Sequence, residues 1–371
     1  MKSSLFYEKK PALGLDIGNG SIKVVQLEKP KSKKDRHLVL GYGYTTFEAA
    51  AINDSGVVID FDEVARATYQ LLTDTVIGGL TTDRVVAALP VSRTFTRVMQ
   101  LPDVGESTLQ DAVKLEAEQY VPMPLEDLYF DYEITYQDKS NPDSETEVLM
   151  VAAPKIVVDS YYKLLGLVGL EINQLETSLI SSVRAVQSFQ EHQLEQELTE
   201  SNTTGATLLI DFGAKSSDLS IFDSTIRVTG TVQHGGDSIT RAIAEKMDIT
   251  ERQAHTLKTR YGIKDSSKHQ KDIMGATRKI LAETLKEINK MLRYYKSRAA
   301  GGGEIQQIQL LGGGANMPGL AEYIQTETNV NTSICDPWSA VNFGKLQEPH
   351  QSEIAMYTTA VGLALAGVNN D

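Results

Sequence analysis

One cysteine, Cys335, and one tryptophan, Trp338, are all that 371 residues contain of either type. A lone thiol builds neither a disulfide framework nor a thiolate metal cluster, and its scarcity fits a reducing compartment. Histidine is also sparse, and His192, His255 and His269 stand at no metal-ligand spacing from one another, so they read as solvated or packed side chains. Nowhere do about 18 apolar residues run together, which excludes a bilayer-spanning helix. The stretch MYTTAVGLALAGV near the C-terminus is too short for that role and reads as a buried helix, and the opening MKSSLFYEKKPALG lacks the apolar core of a signal peptide. Basic charge is short as well: 36 Lys and Arg face 49 Asp and Glu, a net of −13. Such a field repels phosphate backbones and excludes broad nucleic-acid binding, while leaving room for one nucleotide held by backbone amides. The expectation is a soluble, cytoplasmic chain without direct membrane insertion, reaching any membrane through a partner.

What is present is ordinary globular material, 41% apolar and 23% charged, and enough of it for two domains. LGLDI, a tight turn and SIKVVQLE predict a β-hairpin. KPKSKKDR, residues 29–36, reads as a solvated basic loop before the strand HLVLGYGY. Residues 61–77 look helical, and DRVVAALP is a buried strand. A compact run follows: RTFTRVMQL as a strand, then a capping-box pattern at Ser107 and Gln110 with a helical stripe of Leu109, Val113, Ala117 and Tyr120. LYFDYEITY and EVLMVAAP predict two more strands, and KIVVDSYYKLLGLVG a helix. This β-α-β-β-α order describes a small α+β unit inserted into a larger domain. The helix TSLISSVRAVQSFQ leads to a polar stretch, residues 191–205, that reads as the linker between halves. The second half brings TLLIDFG, SSDLSIFD and HGGDSITRAIAEKM. A long helix with Leu281, Leu285, Ile288, Leu292 and Tyr295 on one face comes next. A glycine run at 301–303, the strand IQQIQLLGGG and a helix after Pro318 complete it. Trp338 reads as a core anchor, and the aromatics of 129–136 as core of the inserted unit or, for some of them, as lining of a peptide groove.

The two halves share a motif. LGLDIGNGSIK (13–23) aligns with LLIDFGAKSSD (208–218) at a constant offset of 195 residues, matching Asp16 to Asp211, Gly18 to Gly213 and Ser21 to Ser216. Both copies follow an apolar strand and run into another strand. That excludes a P-loop or Rossmann turn, which needs a helix directly after its glycines. Glycine lets amide groups turn into one concave space suited to phosphate oxygens. Ser21 adds a hydroxyl and Lys23 a positive charge. A carboxylate beside such a nest calls for a cation between it and the phosphates, and magnesium suits, borrowing one or two carboxylates and keeping several waters. The third element, LLGGGANMPGL (310–320), runs a strand into Gly312, Gly313 and Gly314, where a flat ring packs on bare backbone beside Met317.

Two hairpin phosphate loops followed by a glycine-rich adenosine loop resemble the actin-like ATPase superfamily of actin, sugar kinases, heat-shock chaperones, MreB and FtsA. The inserted unit, with EAEQYVPMP within it, is similar to that of the type IV pilus assembly PilM family, and the resemblance runs from about residue 11 to 367. It implies an α/β fold of two RNase H-like domains around a nucleotide cleft. The first (1A) would be residues 1–205 with an inserted subdomain, 1C, at about 92–173. The second (2A) would be 206–371 with a subdomain 2B at about 245–300. ATP and Mg2+ are the implied ligands. Asp16, Gly18, Asn19, Gly20, Ser21 and Lys23 would form the first phosphate loop, and Asp211, Gly213, Ala214, Lys215 and Ser216 the second. Asp16 and Asp211 would hold magnesium through water, and Gly235, Gly236 and Asp237 would approach the phosphates again. Lys258, Gly312, Gly313, Gly314 and Met317 would bind adenosine, and Glu176 would orient the attacking water as the catalytic residue. The second loop lacks the triple glycine common in the superfamily, His255 stands where a glutamate is usual, and Thr177 replaces a proline. These changes argue against fast turnover more than against binding.

For function the resemblance implies an ATP-binding scaffold of the pilus, or a related secretion, platform. It would sit peripheral to the inner membrane by docking the cytoplasmic N-terminal tail of a PilN-like protein. Contact with pilus motor ATPases is implied too, and self-association stays open. Two alternatives remain: an FtsA- or MreB-like filament former, although the chain ends in VNND without an amphipathic membrane helix, and a small-molecule kinase, which needs a base for a substrate hydroxyl.

Overall fold

The structure is a computed structural model that describes residues 11–369, apart from 31, 33–34, 103–105, 139–144, 198–204, 266–267 and 299–302. Lys31, Lys33 and Lys34 of the basic loop, the Ser107 side chain of the expected capping box, residues 198–204 of the expected linker and Gly301–Gly302 lie outside the described residues. In chain order the first part comprises β1 (Leu13–Ile17), β2 (Ser21–Glu28), β3 (His37–Thr46), α1 (Phe61–Gln70), β4 (Ile77–Gly78) and β5 (Arg84–Leu89). Then come β6 (Phe95–Pro102), α2 (Glu106–Tyr120), β7 (Leu128–Tyr136), β8 (Glu145–Pro154), α3 (Lys155–Val168), β9 (Glu171–Thr177) and α4 (Ser178–Glu197). The second part holds β10 (Ala206–Phe212), β11 (Ser217–Asp223), β12 (Thr225–Val232), α5 (Gly236–Met247), α6 (Glu251–Arg260) and α7 (Gln270–Arg298). It closes with β13 (Ile305–Leu311), α8 (Leu320–Thr328), β14 (Asn331–Ile334), β15 (Val341–Asn342) and α9 (Thr358–Asn369).

The sequence repeat is a repeat of topology. One sheet runs β15-β3-β2-β1-β5-β9, with β4 beside β3, and the other runs β12-β11-β10-β13-β14. In each, the first strand pairs antiparallel with the second and parallel with a later strand. The central strands β1 and β10 are covered on both faces, which is why they read as unbroken apolar runs. Leu13, Leu15 and Ile17 face a core shared with α1 and α3, and Leu208, Ile210 and Phe212 face a core shared with α5, α7 and α8.

A third sheet, β6-β8-β7, is antiparallel and has its own core. Met99, Leu101, Val148, Met150 and Ala152 pack on Leu109, Val113 and Ala117 of α2. Val121, one turn beyond Ala117, completes that stripe, whereas Tyr120 lies half-exposed under the Arg97 guanidinium, 3.8 Å from the ring centre. The aromatics of β7 are split as well: alternation turns Phe130 and Tyr132 inward and leaves Tyr129 exposed, and Tyr136, beyond a register shift after Ile134, is exposed too.

Packing draws the boundaries differently from the linear order. α3 buries Val157, Tyr161, Leu164 and Leu165 in the core of the first lobe, and β9 pairs with β5, so the small module's own core ends at β8 rather than near residue 173. α4 continues through residue 197, so the first part of the expected linker is helix. Residues 338–366 return to the first lobe: Trp338, Phe343 and Tyr357 enclose Tyr42 with ring centres 5.5–5.8 Å from it, and α9 lies against β1, β2 and α4. The α4–α9 approach is close enough that a Cβ at Gly362 would collide with the Ser181 backbone. Within segment 245–300, Ile273, Leu281, Ile288 and Tyr295 pack in the core of the second lobe.

A candidate nucleotide cleft between two hairpin loops

The turns after β1 and β10 face one another across a cavity of about 410 Å³, inside the range of small-ligand sites. Asp16, Gly18, Asn19, Ser21 and Lys23 line it from the first lobe, and Asp211, Gly213, Ala214, Ser216 and Asp218 from the second. The hairpins match in register: Asp16 sits opposite Lys23, and Asp211 opposite Asp218. That single exchange of base for acid sets the electrostatics. Lys23 Nζ donates to Asp16 Oδ2 at 3.2 Å. Asp211 is partly buried beside Asp218 and Asp16, and desolvation first, then these two charges, push its carboxyl from 3.8 to about 7, with Lys23 opposing. Asp218 is raised by burial too, against a 2.7 Å hydrogen bond from Thr231 Oγ1.

The loops spend part of their hydrogen-bonding capacity on themselves. Gly18 N–H donates to the Ser21 carbonyl and Gly20 N–H to the Gly18 carbonyl, both at 2.9 Å, so those amides close the turn. At the second loop the Gly236 and Asp237 amides donate to the Gly213 and Ala214 carbonyls, each at 2.9 Å. The start of α5, with Gly235 packed under the Ala214 carbonyl, therefore buttresses the loop, although Gly236 and Asp237 also line the cleft. Among the described residues the amides of Asn19, Ala214, Lys215 and Ser216 donate to no other backbone group. Lys215 reaches across the mouth instead of inward, its Nζ 3.2 Å from Asp54 of the first lobe.

The far wall is formed by Gly312, Gly313 and Gly314 with His255, Lys258, Thr259 and Met356. Gly312 sits at φ +78°, where a Cβ would strike the Asp211 carboxylate. Only glycine lets this wall close on the loop. A Cβ at Gly313 would meet nothing nearer than Met356, at 3.8 Å, so bare backbone faces the cavity as a flat ring requires. Lys258 is a brace: its ammonium donates to the Gly236 carbonyl and Thr240 Oγ1, both 2.9 Å away. Burial lowers its pKa and that of His255.

Gly20, Lys215, Gly235, Met317 and Glu176 are expected site residues that do not line the cleft. Met317 is 4% exposed in the core of the second lobe, and Met356 is the methionine at the cleft. Glu176 does not line the cleft; its carboxylate takes both guanidinium nitrogens of Arg184, at 2.6 and 2.9 Å, and Arg184 is held in turn by the Gly362 carbonyl. β9 pairs in parallel with β5 on the first sheet, where Glu176 is buried, and Ser178, just beyond the strand, enters the cleft. Asp218 is a further carboxylate at the cleft, and the repeat held its signal: it stands seven residues after Asp211, as Lys23 does after Asp16.

Among the described residues no group of three or more His, Cys, Asp or Glu side chains is arranged to hold a metal ion by itself. The donor set fits a cation held jointly with a polyanion: two facing carboxylates crowd each other's charge, and unspent amides stand on either side. No helix among the described residues is long and apolar enough to cross a membrane.

Two lobes of repeated topology, each turning one hairpin loop into a shared cleft, define an actin-like ATPase fold. The profile of the type IV pilus assembly protein PilM family matches residues 14–368, and the chain belongs to that family. A solved PilM–PilN type IV pilus biogenesis complex is similar in structure at a TM-score of 0.81, with 24% identity, over 98% of this chain and all of the other. Ethanolamine utilization protein EutJ from Carboxydothermus hydrogenoformans shares the fold at 0.55, with 12% identity, over 97% and 90%. Cell division protein FtsA of Streptococcus pneumoniae is 22% identical over 364 residues, which span 87% of this chain and 75% of the relative.

Proposed function

We propose that this chain is an ATP-binding scaffold of the type IV pilus inner-membrane platform that docks the cytoplasmic tail of a PilN-like protein. The observation that carries the nucleotide half is the pair of register-matched loops facing across one cavity. Ser21 and Ser216 hydroxyls and the amides of Asn19, Ala214, Lys215 and Ser216 would grip phosphate oxygens. Lys23, now paired with Asp16, would turn to the same charge, and Gly312–Gly314 with His255, Thr259 and Met356 would enclose the nucleoside. Bound magnesium would neutralise the crowding of Asp16 and Asp211, reached through water. Membership of a pilus assembly family and likeness to a PilM–PilN complex along the whole chain support the docking half.

Slow turnover is part of the reading. The carboxylate expected to orient water, Glu176, is committed to Arg184, and Asp218 is held by Thr231. A peripheral location at the inner membrane follows from the tail-docking partner. The test titrates Mg-ATP, then an N-terminal peptide of a PilN-like protein, into the pure chain. Binding of both supports the proposal, and a cleft that ignores Mg-ATP rules it out.

A further inference from the structure

The small module belongs covalently to the first lobe but is gripped by the second. Glu147 on β8 is 9% exposed at its side chain and accepts from Arg227 on β12 at 2.5 Å, from Gln100 Nε2 at 2.9 Å and from Thr135 Oγ1 at 2.9 Å. Arg227 also donates through Nε to the Asp223 carbonyl, and Asp223 accepts from Tyr295 of α7 at 2.6 Å. Apolar contact surrounds the pair: Val98 and Leu149, on the sheet face away from α2, pack in one cluster with Phe222 and Ile226.

The strands making this grip are the ones that leave the cleft. β11 starts at Ser217, directly after the second loop, and Asp218 on it is tied to Thr231 of β12. Six residues beyond Ser217 lie Asp223 and the turn to Arg227, about 20 Å away at ~3.3 Å per residue. β11 is paired on both edges, to β12 and β10, within the five-stranded sheet, and such a ladder is stiff along its length, so displacement at the cleft end appears at the far end. There a largely desolvated carboxylate resists losing its partner, because an uncompensated buried charge is costly.

We propose that the β11–β12 hairpin is a lever that transmits the state of the cleft to the small module, with Arg227–Glu147 as its grip. The inference rests on the cleft being a nucleotide site. A ligand that draws the second loop toward the first moves the hairpin, and the module, hinged on the first lobe near Pro90–Thr94 and Pro154, follows Arg227. Ligand binding thereby biases the orientation of any surface the module presents.

Hydrogen–deuterium exchange on the full chain tests this, with and without Mg-ATP, in the wild type, Arg227→Met and Glu147→Gln. In the wild type, Mg-ATP is expected to slow exchange in 13–23 and 208–218, and also in 95–102 and 145–154 by about 5-fold or more, the lower end of site-to-site coupling. Both variants keep the response at the loops and lose it in the module. A module response that survives in the variants overturns the lever, as does a wild-type module that ignores a ligand its loops register. Wild-type loops that do not respond overturn the nucleotide reading itself, and the lever with it. Glu147→Gln preserves side-chain shape, so the test holds if Arg227→Met folds poorly.

Discussion

Asp211 lines the cleft where the two loops face each other, and its ionisation there is costly. Its carboxyl is pushed from 3.8 to about 7 by burial and by two neighbouring acids. Because the folded value lies above the unfolded one, its contribution to stability is fully present below about pH 4. It is lost as pH rises toward 7, where the unfolded chain releases the proton first. Asp211→Asn is therefore expected to gain melting temperature relative to the wild type as pH rises from 5 to 8, and a constant difference in thermal melts contradicts this. Magnesium requires the ionised carboxylate, so Mg-ATP affinity in the wild type should weaken by up to about tenfold per pH unit below 7. Asp211→Ala should abolish binding while the protein stays folded, as calorimetry and circular dichroism would show. Glu176→Gln makes a contrasting prediction: unchanged nucleotide affinity, but a loss of about 2 kcal/mol in urea unfolding. That is less than for a fully buried pair, since Arg184 keeps 29% of its side-chain exposure.

The elements divide by how local their causes are. The hairpins β1–β2 and β10–β11 were legible because strand period, turn glycines and an acid at fixed offset all lie within eleven residues of chain. The long face of α7 was legible for the same reason. Glu176 and Met317 lie away from the cleft because of contacts with distant chain: Arg184 and the Gly362 carbonyl claim the first, and the core beneath α8 claims the second. Met356 gave no local signal, since it reaches the cleft only because the last segment crosses back to the first lobe. The same crossing hid the true membership of α9. Gly362 tests that packing: Gly362→Ala drives a methyl into the Ser181 backbone and is expected to cost about 1–3 kcal/mol, read as a lower urea midpoint at constant slope. A neutral substitution would mean that α4 and α9 are less closely apposed.

At the scale of the whole molecule, two repeated lobes share a cleft, and a module inserted in one is held by the other. On the proposed reading, such an assembly reports a bound nucleotide to a partner rather than consuming it, since Glu176 is tied to Arg184 and Asp218 to Thr231. At a hundredfold excess over its dissociation constant, Mg-ATP should stabilise the fold by about 2.7 kcal/mol. The most direct test of the account measures Mg-ATP binding and single-turnover hydrolysis on one pure sample. The account predicts saturable binding that depends on magnesium, with bound ATP recovered intact long after binding is complete. Steady hydrolysis would contradict the scaffold reading, and absence of binding would contradict the two-loop cleft.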